Sequence, residues 1–140
     1  MIGLGCGARS YTRGLHYSLN YAVTPKGVKA IVTDYLARDS AEFAVAEHGF
    51  ALDDDEQRRR YVLQSLLNAD GLDLARYALR FGGDAFADFP DLSAFTDLGL
   101  FRREADRLVP TQTGLERSDA IGPWLFSERV QRLMSGYELR

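Results

Sequence analysis

The stretch DLSAFTDLGLFRREADRLV, residues 91–109, decides the fold of the second part of this chain. Its first half repeats apolar side chains at helical spacing and stops at Gly99, a residue suited to the end of a helix. The side chains predicted to face inward are Leu92, Phe95 and Leu98. Its second half predicts two short strands joined by a polar tip, which form a hairpin.

Two further helices are predicted before this stretch. Asp53 and Glu56 have the spacing of a capping box and begin a helix that runs to about residue 68. A second helix covers 73–81 and ends at Gly82-Gly83. The expected inward set is Val62, Leu63, Leu66, Leu67, Leu74, Tyr77, Ala78 and Phe81, with Arg58, Arg59 and Arg60 outward.

One helical region is predicted after the hairpin. Thr111 or Thr113 caps its start, and Gly122-Pro123 interrupts it before a final helix over 123–135. The expected inward residues of that final helix are Phe126, Val130, Leu133 and Met134. Three helices, a hairpin and a further helix predict a winged-helix-like unit.

The first 50 residues have a different pattern. A short apolar strand that runs into a glycine loop over 2–10, a strand over 14–23 with alternating Leu and Tyr, and extended residues 43–46 are predicted. An amphipathic helix over 28–37 follows a break at Thr24-Pro25-Lys26-Gly27.

Composition excludes several classes of protein. The chain has 140 residues, 46% of them hydrophobic, and a net charge of -3, which disfavours nucleic acid as a partner. Its single cysteine, Cys6, allows no internal disulfide and suits a cytoplasmic protein. There is no apolar run of the roughly 20 residues that a membrane span needs, and no signal peptide. A glycine-rich strand end directly after Met1 indicates a chain cut from something longer.

The strongest local motif is GLGCGARS, residues 3–10. Alternate glycines let a ligand approach the backbone closely, although a tight turn or a strand bulge explains them equally well. The motif lacks the G-x-G-x-x-G spacing of dinucleotide-binding proteins. Cys6 is expected to be a small buried residue, and His16 and His48 have no acid at metal-ligand spacing.

A DNA-binding role is disfavoured for the winged-helix-like unit. Its recognition helix, residues 91–98, contains no lysine or arginine and carries two acids. The hairpin has Arg102, Arg103 and Arg107, which allow only weak electrostatic contact.

The motifs together resemble the C-terminal third of the oxygen-independent coproporphyrinogen III oxidase family. Four stretches carry the resemblance. Residues 3–10 are similar to the family's G-x-G-x-x-A-x-S strand end, and Asn20 follows them. The other two stretches are His48-Gly49-Phe50 with Leu52, Asp54 and Arg58-Arg59, and Leu98-Gly99-Leu100 with residues 108–111 and Gly114. Residues 118–124 are more similar to a divergent bacterial branch than to the haem-pathway enzymes.

The resemblance implies an α+β fold in two parts: the barrel-edge strand, hairpin and helix at 1–50, and a mostly α winged-helix-like domain at 51–140. It implies a missing N-terminal radical-SAM barrel that holds a 4Fe-4S cluster and S-adenosylmethionine and acts on a porphyrinogen-like substrate. Gly5, Gly7, Ala8 and Arg9 would form the cofactor-binding edge, through backbone contacts. The chain has no C-x-x-x-C-x-x-C loop and is not expected to be catalytic alone.

Two alternatives remain open at this stage. The first is a haem-binding or haem-trafficking protein of the same superfamily, for which the available axial ligands are His16, His48, Cys6 and the tyrosines. The second is a free-standing winged-helix interaction module.

Overall fold

A computed structural model describes residues 1–22 and 24–136. The protein is α+β, as the sequence predicts, with small antiparallel sheets among its helices. The chain divides into two compact units, Met1–Gln57 and Arg58–Arg140.

The first unit is built on a three-stranded antiparallel sheet. Its strands, in spatial order, are β1 (Arg9–Tyr11), β2 (Leu15–Ser18) and β3 (His48–Ala51). Helix α1 (Pro25–Ala37) lies between β2 and β3 in the chain.

Four local predictions for this unit need correction. The strand predicted over 14–23 is confined to Leu15–Ser18, and its last predicted residue, Val23, lies outside the described residues. The glycine loop predicted within 2–10 is present, with positive φ angles at Gly5 and Gly7, but the strand follows this loop at Arg9–Tyr11 and does not precede it. The extended segment at 43–46 is instead a 3-10 turn, Glu42–Ala44. The break at 24–27 is the start of α1, since Thr24 Oγ1 accepts the Gly27 N–H at 3.1 Å.

A second sheet accompanies the helices that follow. In chain order the elements are α2 (Asp54–Leu66), β4 (Leu72–Asp73), α3 (Leu74–Phe81), α4 (Ala85–Asp88), α5 (Asp91–Asp97), β5 (Phe101–Glu104), β6 (Arg107–Pro110), α6 (Gln112–Glu116), α7 (Ser118–Trp124) and α8 (Glu128–Ser135). The strand order is β4-β6-β5, so the predicted hairpin β5–β6 has a third, short strand beside it. This helix, strand, helix and hairpin order is winged-helix-like.

The hydrophobic core belongs to the second unit. Every buried hydrophobic side chain among the described residues lies between Val62 and Leu125. Its largest members are Tyr77, Phe95 and Phe101. The caps that the sequence predicts are present, because Asp53 Oδ1 accepts the Glu56 N–H at 2.9 Å and Gly82 ends α3 at φ 71°.

Several predicted orientations in this unit are wrong. Ala78 is exposed, and so are Leu98 (61%), Leu133 (55%) and Met134 (58%), because α8 buries no residue and Leu98 lies past the end of α5. The arginines 58–60 are half-buried rather than outward. Pro123 lies inside α7 and does not break it.

The first unit contains no buried hydrophobic side chain among its described residues, whose buried members are Ser10 and Glu56. Apolar side chains on α1 and around it are instead open to solvent. They include Leu4 (90%), Tyr21 (70%), Val28 (46%), Leu36 (77%) and Val45 (67%). Such a sheet and helix lack the covered face that normally stabilises a domain.

Candidate functional site

The glycine motif forms a turn that leads into β1. Gly5 and Gly7 have φ angles of 104° and 72°, and a Cβ at either position would meet open space. The Ala8 N–H donates to the Gly5 carbonyl at 3.2 Å and closes the turn. The glycines are therefore required by backbone conformation, and the turn leaves its backbone accessible.

The buried side chain of Ser10 stabilises this turn by a hydrogen bond. Its side chain is 1% exposed, and its hydroxyl accepts the Gly3 N–H at 3.0 Å. On the other side of β1, Tyr11 exchanges two backbone hydrogen bonds with Met1, at 2.8 and 3.0 Å. Sequence reasoning gave Ser10 no role, although its place at the end of the motif was a usable signal.

A shallow depression of about 130 Å³ lies beside the turn. It is lined by Cys6, Gly7, Asn20, Tyr21, Ala22, Val28, Ile31 and Val32. Of the four predicted cofactor-edge residues, Gly7 lines it, while Gly5, Ala8 and Arg9 belong to the same turn and strand without lining it. Cys6 is exposed, which corrects the expectation that it is buried.

The two histidines come together on one face of the first sheet. His16 stacks on Tyr11 with ring centroids 4.3 Å apart, and the His48 Nε2 atom lies 2.6 Å from Asn20 Oδ1. A depression of about 230 Å³ is lined by His16, Tyr17, Ser18, His48, Gly49 and Phe50. The sequence placed His16 on the polar strand face, but it did not predict its proximity to His48.

An iron-sulfur cluster does not fit the residues of this chain. The sequence has one cysteine, whereas such clusters are held by several thiolates. Across residues 1–22 and 24–136, no group of three or more His, Cys, Asp or Glu side chains is placed to hold a metal ion.

The arginines of the β5–β6 hairpin contact other residues of the second unit. Arg102 pairs with Glu104 at 2.6 Å, Arg107 contacts Asp73 at 3.5 Å, and the Arg103 guanidinium lies over the Phe86 ring at 5.8 Å. These contacts reduce the positive charge offered to a phosphate backbone. In the described part of the chain, no helix has the length and apolar character needed to cross a bilayer.

The fold defines an α+β protein whose second unit is winged-helix-like. Residues 52–116 match the family model described as HemN C-terminal domain. The match spans the resembling motifs between Leu52 and Gly114, which confirms the predicted family. Comparison with curated proteins and with solved structures found no significant match.

Proposed function

We propose that this chain is the C-terminal part of a radical-SAM oxidoreductase of the oxygen-independent coproporphyrinogen III oxidase type. An N-terminal barrel, outside this sequence, would hold the 4Fe-4S cluster and S-adenosylmethionine and receive a porphyrinogen-like substrate. The observation that carries the proposal is the HemN C-terminal domain match at residues 52–116.

The exposed apolar surface of the first unit supports the proposal that an N-terminal barrel packs against it. A sheet whose described residues include no buried hydrophobic side chain gains stability when neighbouring strands and helices cover it. Residues 1–50 then serve as the C-terminal edge of the barrel, and residues 51–140 as the helical domain that follows.

The glycine turn has a binding role in this proposal. Gly5, Gly7, Ala8 and Arg9 form the proposed cofactor edge, and the absence of side chains at both glycines lets a ligand approach the backbone closely. The cofactors, when bound in the barrel, supply the hydrogen-abstraction chemistry. This chain contributes an edge contact at the turn and, through its helical domain, cover that excludes water.

The test uses anaerobic reconstitution with iron, sulfide and S-adenosylmethionine. The 140-residue chain alone is expected to form no cluster absorbance and no 5′-deoxyadenosine. Joined to a barrel with a C-x-x-x-C-x-x-C loop, encoded in the frame upstream, it is expected to do both. Turnover by the isolated chain would contradict the proposal.

A variant of the joined protein tests the turn. Gly7→Val puts a β-branched side chain at φ 72° and is expected to weaken S-adenosylmethionine binding at least tenfold while the cluster absorbance stays. Gly82→Val, in the second unit at φ 71° with open space around its Cβ, is the matched control and should bind normally. Equal affinity in both variants would remove the turn from the cofactor site.

A further inference from the structure

A polar depression of about 380 Å³ lies wholly within the second unit. It is bounded by the second half of α2, the turn that leads to β4, the start of α3 and the first residue of β6. Its volume is near the lower end of the range for small-molecule sites, about 300–1,000 Å³, and its polar lining suits a hydrophilic ligand. The residues that line it include Tyr61, Ser65, Asp70, Asp73, Arg76 and Arg107.

The walls of this depression are held in place by the fold. The Gly71 N–H donates to the Asn68 carbonyl at 2.9 Å and closes the turn, and a Cβ on Gly71 would overlap the Leu108 carbonyl. Arg107 Nη1 donates to the Asp70 carbonyl at 2.9 Å and joins the turn to β6. A site whose walls are already fixed loses little conformational entropy when a ligand binds.

Arg76 supplies the positive charge that a ligand in this depression can use. Arg107 Nη2 lies 3.5 Å from Asp73 Oδ2, so these two charges offset each other, and Asp73 Oδ1 accepts the Arg76 N–H at 2.8 Å. The exposed guanidinium of Arg76 has neither an ion pair nor a hydrogen bond within residues 1–22 and 24–136. Guanidinium groups bind phosphate and carboxylate oxygens through paired, charge-assisted hydrogen bonds. Arg76 therefore offers a place for an acidic group.

The rest of the depression offers hydroxyl groups and a carboxylate. Tyr61 and Ser65 are four residues apart on α2 and so lie on one face of it. Their hydroxyls make no hydrogen bond in the described part of the chain, although the Tyr61 ring packs against Phe81 and the Arg80 guanidinium. Ligand hydroxyls can accept from Tyr61 or Ser65 and donate to the exposed carboxylate of Asp70. A ligand whose second end is also acidic would be repelled by that carboxylate.

We propose that this polar depression binds a small hydroxylated acid, such as a sugar phosphate or a sugar acid. The acidic group pairs with Arg76, and the hydroxyls at the other end of the ligand bond to Tyr61, Ser65 and Asp70. The inference is independent of the cofactors proposed for the barrel, because every residue that lines the depression belongs to the second unit.

The test titrates the 140-residue chain with glucose 6-phosphate at constant ionic strength and follows amide chemical shifts. Saturable binding is expected, with shift changes centred on residues 61–76 and on Arg107. Glucose keeps the hydroxyls without the acid, inorganic phosphate keeps the acid without the hydroxyls, and each is expected to bind about tenfold more weakly. Glucose 1,6-bisphosphate, acidic at both ends, should also bind more weakly, whereas charge attraction alone would make it the tightest ligand.

Two variants of the site are compared with one control. Arg76→Gln removes the cation and is expected to weaken glucose 6-phosphate about tenfold, and Tyr61→Phe keeps the ring and should weaken it about fivefold. Arg117→Gln, which removes an exposed arginine outside the depression, should leave the affinity unchanged. Far-ultraviolet circular dichroism verifies that all three remain folded. Absence of saturable binding, equal affinity for inorganic phosphate, or full affinity in both site variants overturns the proposal.

Discussion

Tyr77 is a buried residue of the second unit whose ring packs against other aromatic rings and whose hydroxyl makes a hydrogen bond. Its ring is fully buried against Tyr61 and Phe81, with centroids 6.1 and 5.0 Å away. Its hydroxyl donates to Asp88 Oδ2 at 2.6 Å, and the same oxygen accepts from Arg58 Nη1 at 2.6 Å. One carboxylate therefore joins α2, α3 and α4.

This arrangement predicts a loss of stability at alkaline pH. Burial first, and then the hydrogen bond to Asp88, raise the pKa of Tyr77 from 10.0 to about 12. The unfolded chain loses the tyrosine proton at lower pH than the folded chain. The contribution of Tyr77 to the free energy of unfolding is thus fully present below pH 10.0 and declines as pH rises towards about 12.

Denaturant unfolding between pH 9 and 12 tests this expectation. The decline should be shallower in Tyr77→Phe, which keeps the ring and removes the titrating hydroxyl. A parallel decline in the parent and in Tyr77→Phe would show that other groups cause it.

Gly114 is required by packing rather than by its backbone angle. A Cβ there would overlap the carbonyl oxygen and carbon of Leu100. Gly114→Ala is expected to destabilise the protein by about 3 kcal/mol, since only backbone movement relieves the clash. Gly122→Ala meets nothing within 4 Å and, inside α7, should stabilise by about 0.5 kcal/mol. Thermal unfolding measures both, and equal melting temperatures would contradict this account of Gly114.

At the scale of elements, Thr111 connects α6 to the end of α5. Its Oγ1 accepts the Gly114 N–H at 3.1 Å and donates to the Gly99 carbonyl at 2.7 Å. The sequence left Thr111 and Thr113 as equal candidates for this cap. The structure selects Thr111, because its Oγ1 lies within hydrogen-bond distance of the Gly114 N–H three residues later.

The cap predicts unequal effects of two otherwise identical substitutions. Thr111→Val keeps the side-chain shape and removes the hydrogen bonds of the hydroxyl to Gly99, Leu100 and Gly114, so a loss of about 1–2 kcal/mol is expected. Thr113→Val changes an exposed residue and should alter stability by less than about 0.5 kcal/mol. Urea unfolding of both variants measures the two losses of unfolding free energy. A larger loss in Thr113→Val than in Thr111→Val would show that Thr113 is the cap.

Local signals in the sequence were sufficient for most element ends. Asp53, Gly82 and the polar tip of the hairpin each act through neighbouring backbone groups, and each was predicted correctly. Strand β4 has two residues and α4 has four, too few for a periodic pattern, and both were missed.

Tertiary partners explain the errors that remain. Leu133 and Met134 have the spacing of a buried face, but no described residue buries α8. The proximity of His16 and His48 depends on the register between β2 and β3, strands that are some 30 residues apart, which helical or strand periodicity cannot give. The sequence therefore showed the two histidines singly and not side by side.

At the scale of the whole molecule, the two units differ in how they are stabilised. The second has a contiguous core between Val62 and Leu125, whereas the described part of the first has no buried hydrophobic residue. A chain that begins at Leu52 is therefore expected to fold alone and to melt within a few degrees of the full chain. Loss of cooperative unfolding in the shortened chain would show that its core needs residues 1–51.

Amide hydrogen exchange tests most directly whether the first unit needs the neighbouring barrel to be stable. In the isolated chain, amides of β1, β2 and β3 should exchange close to the rates of unprotected peptides, while those of the second unit are protected by the global unfolding free energy. Joining the chain to the upstream barrel should slow the exchange of the first sheet. Equal protection of both sheets in the isolated chain would contradict the account.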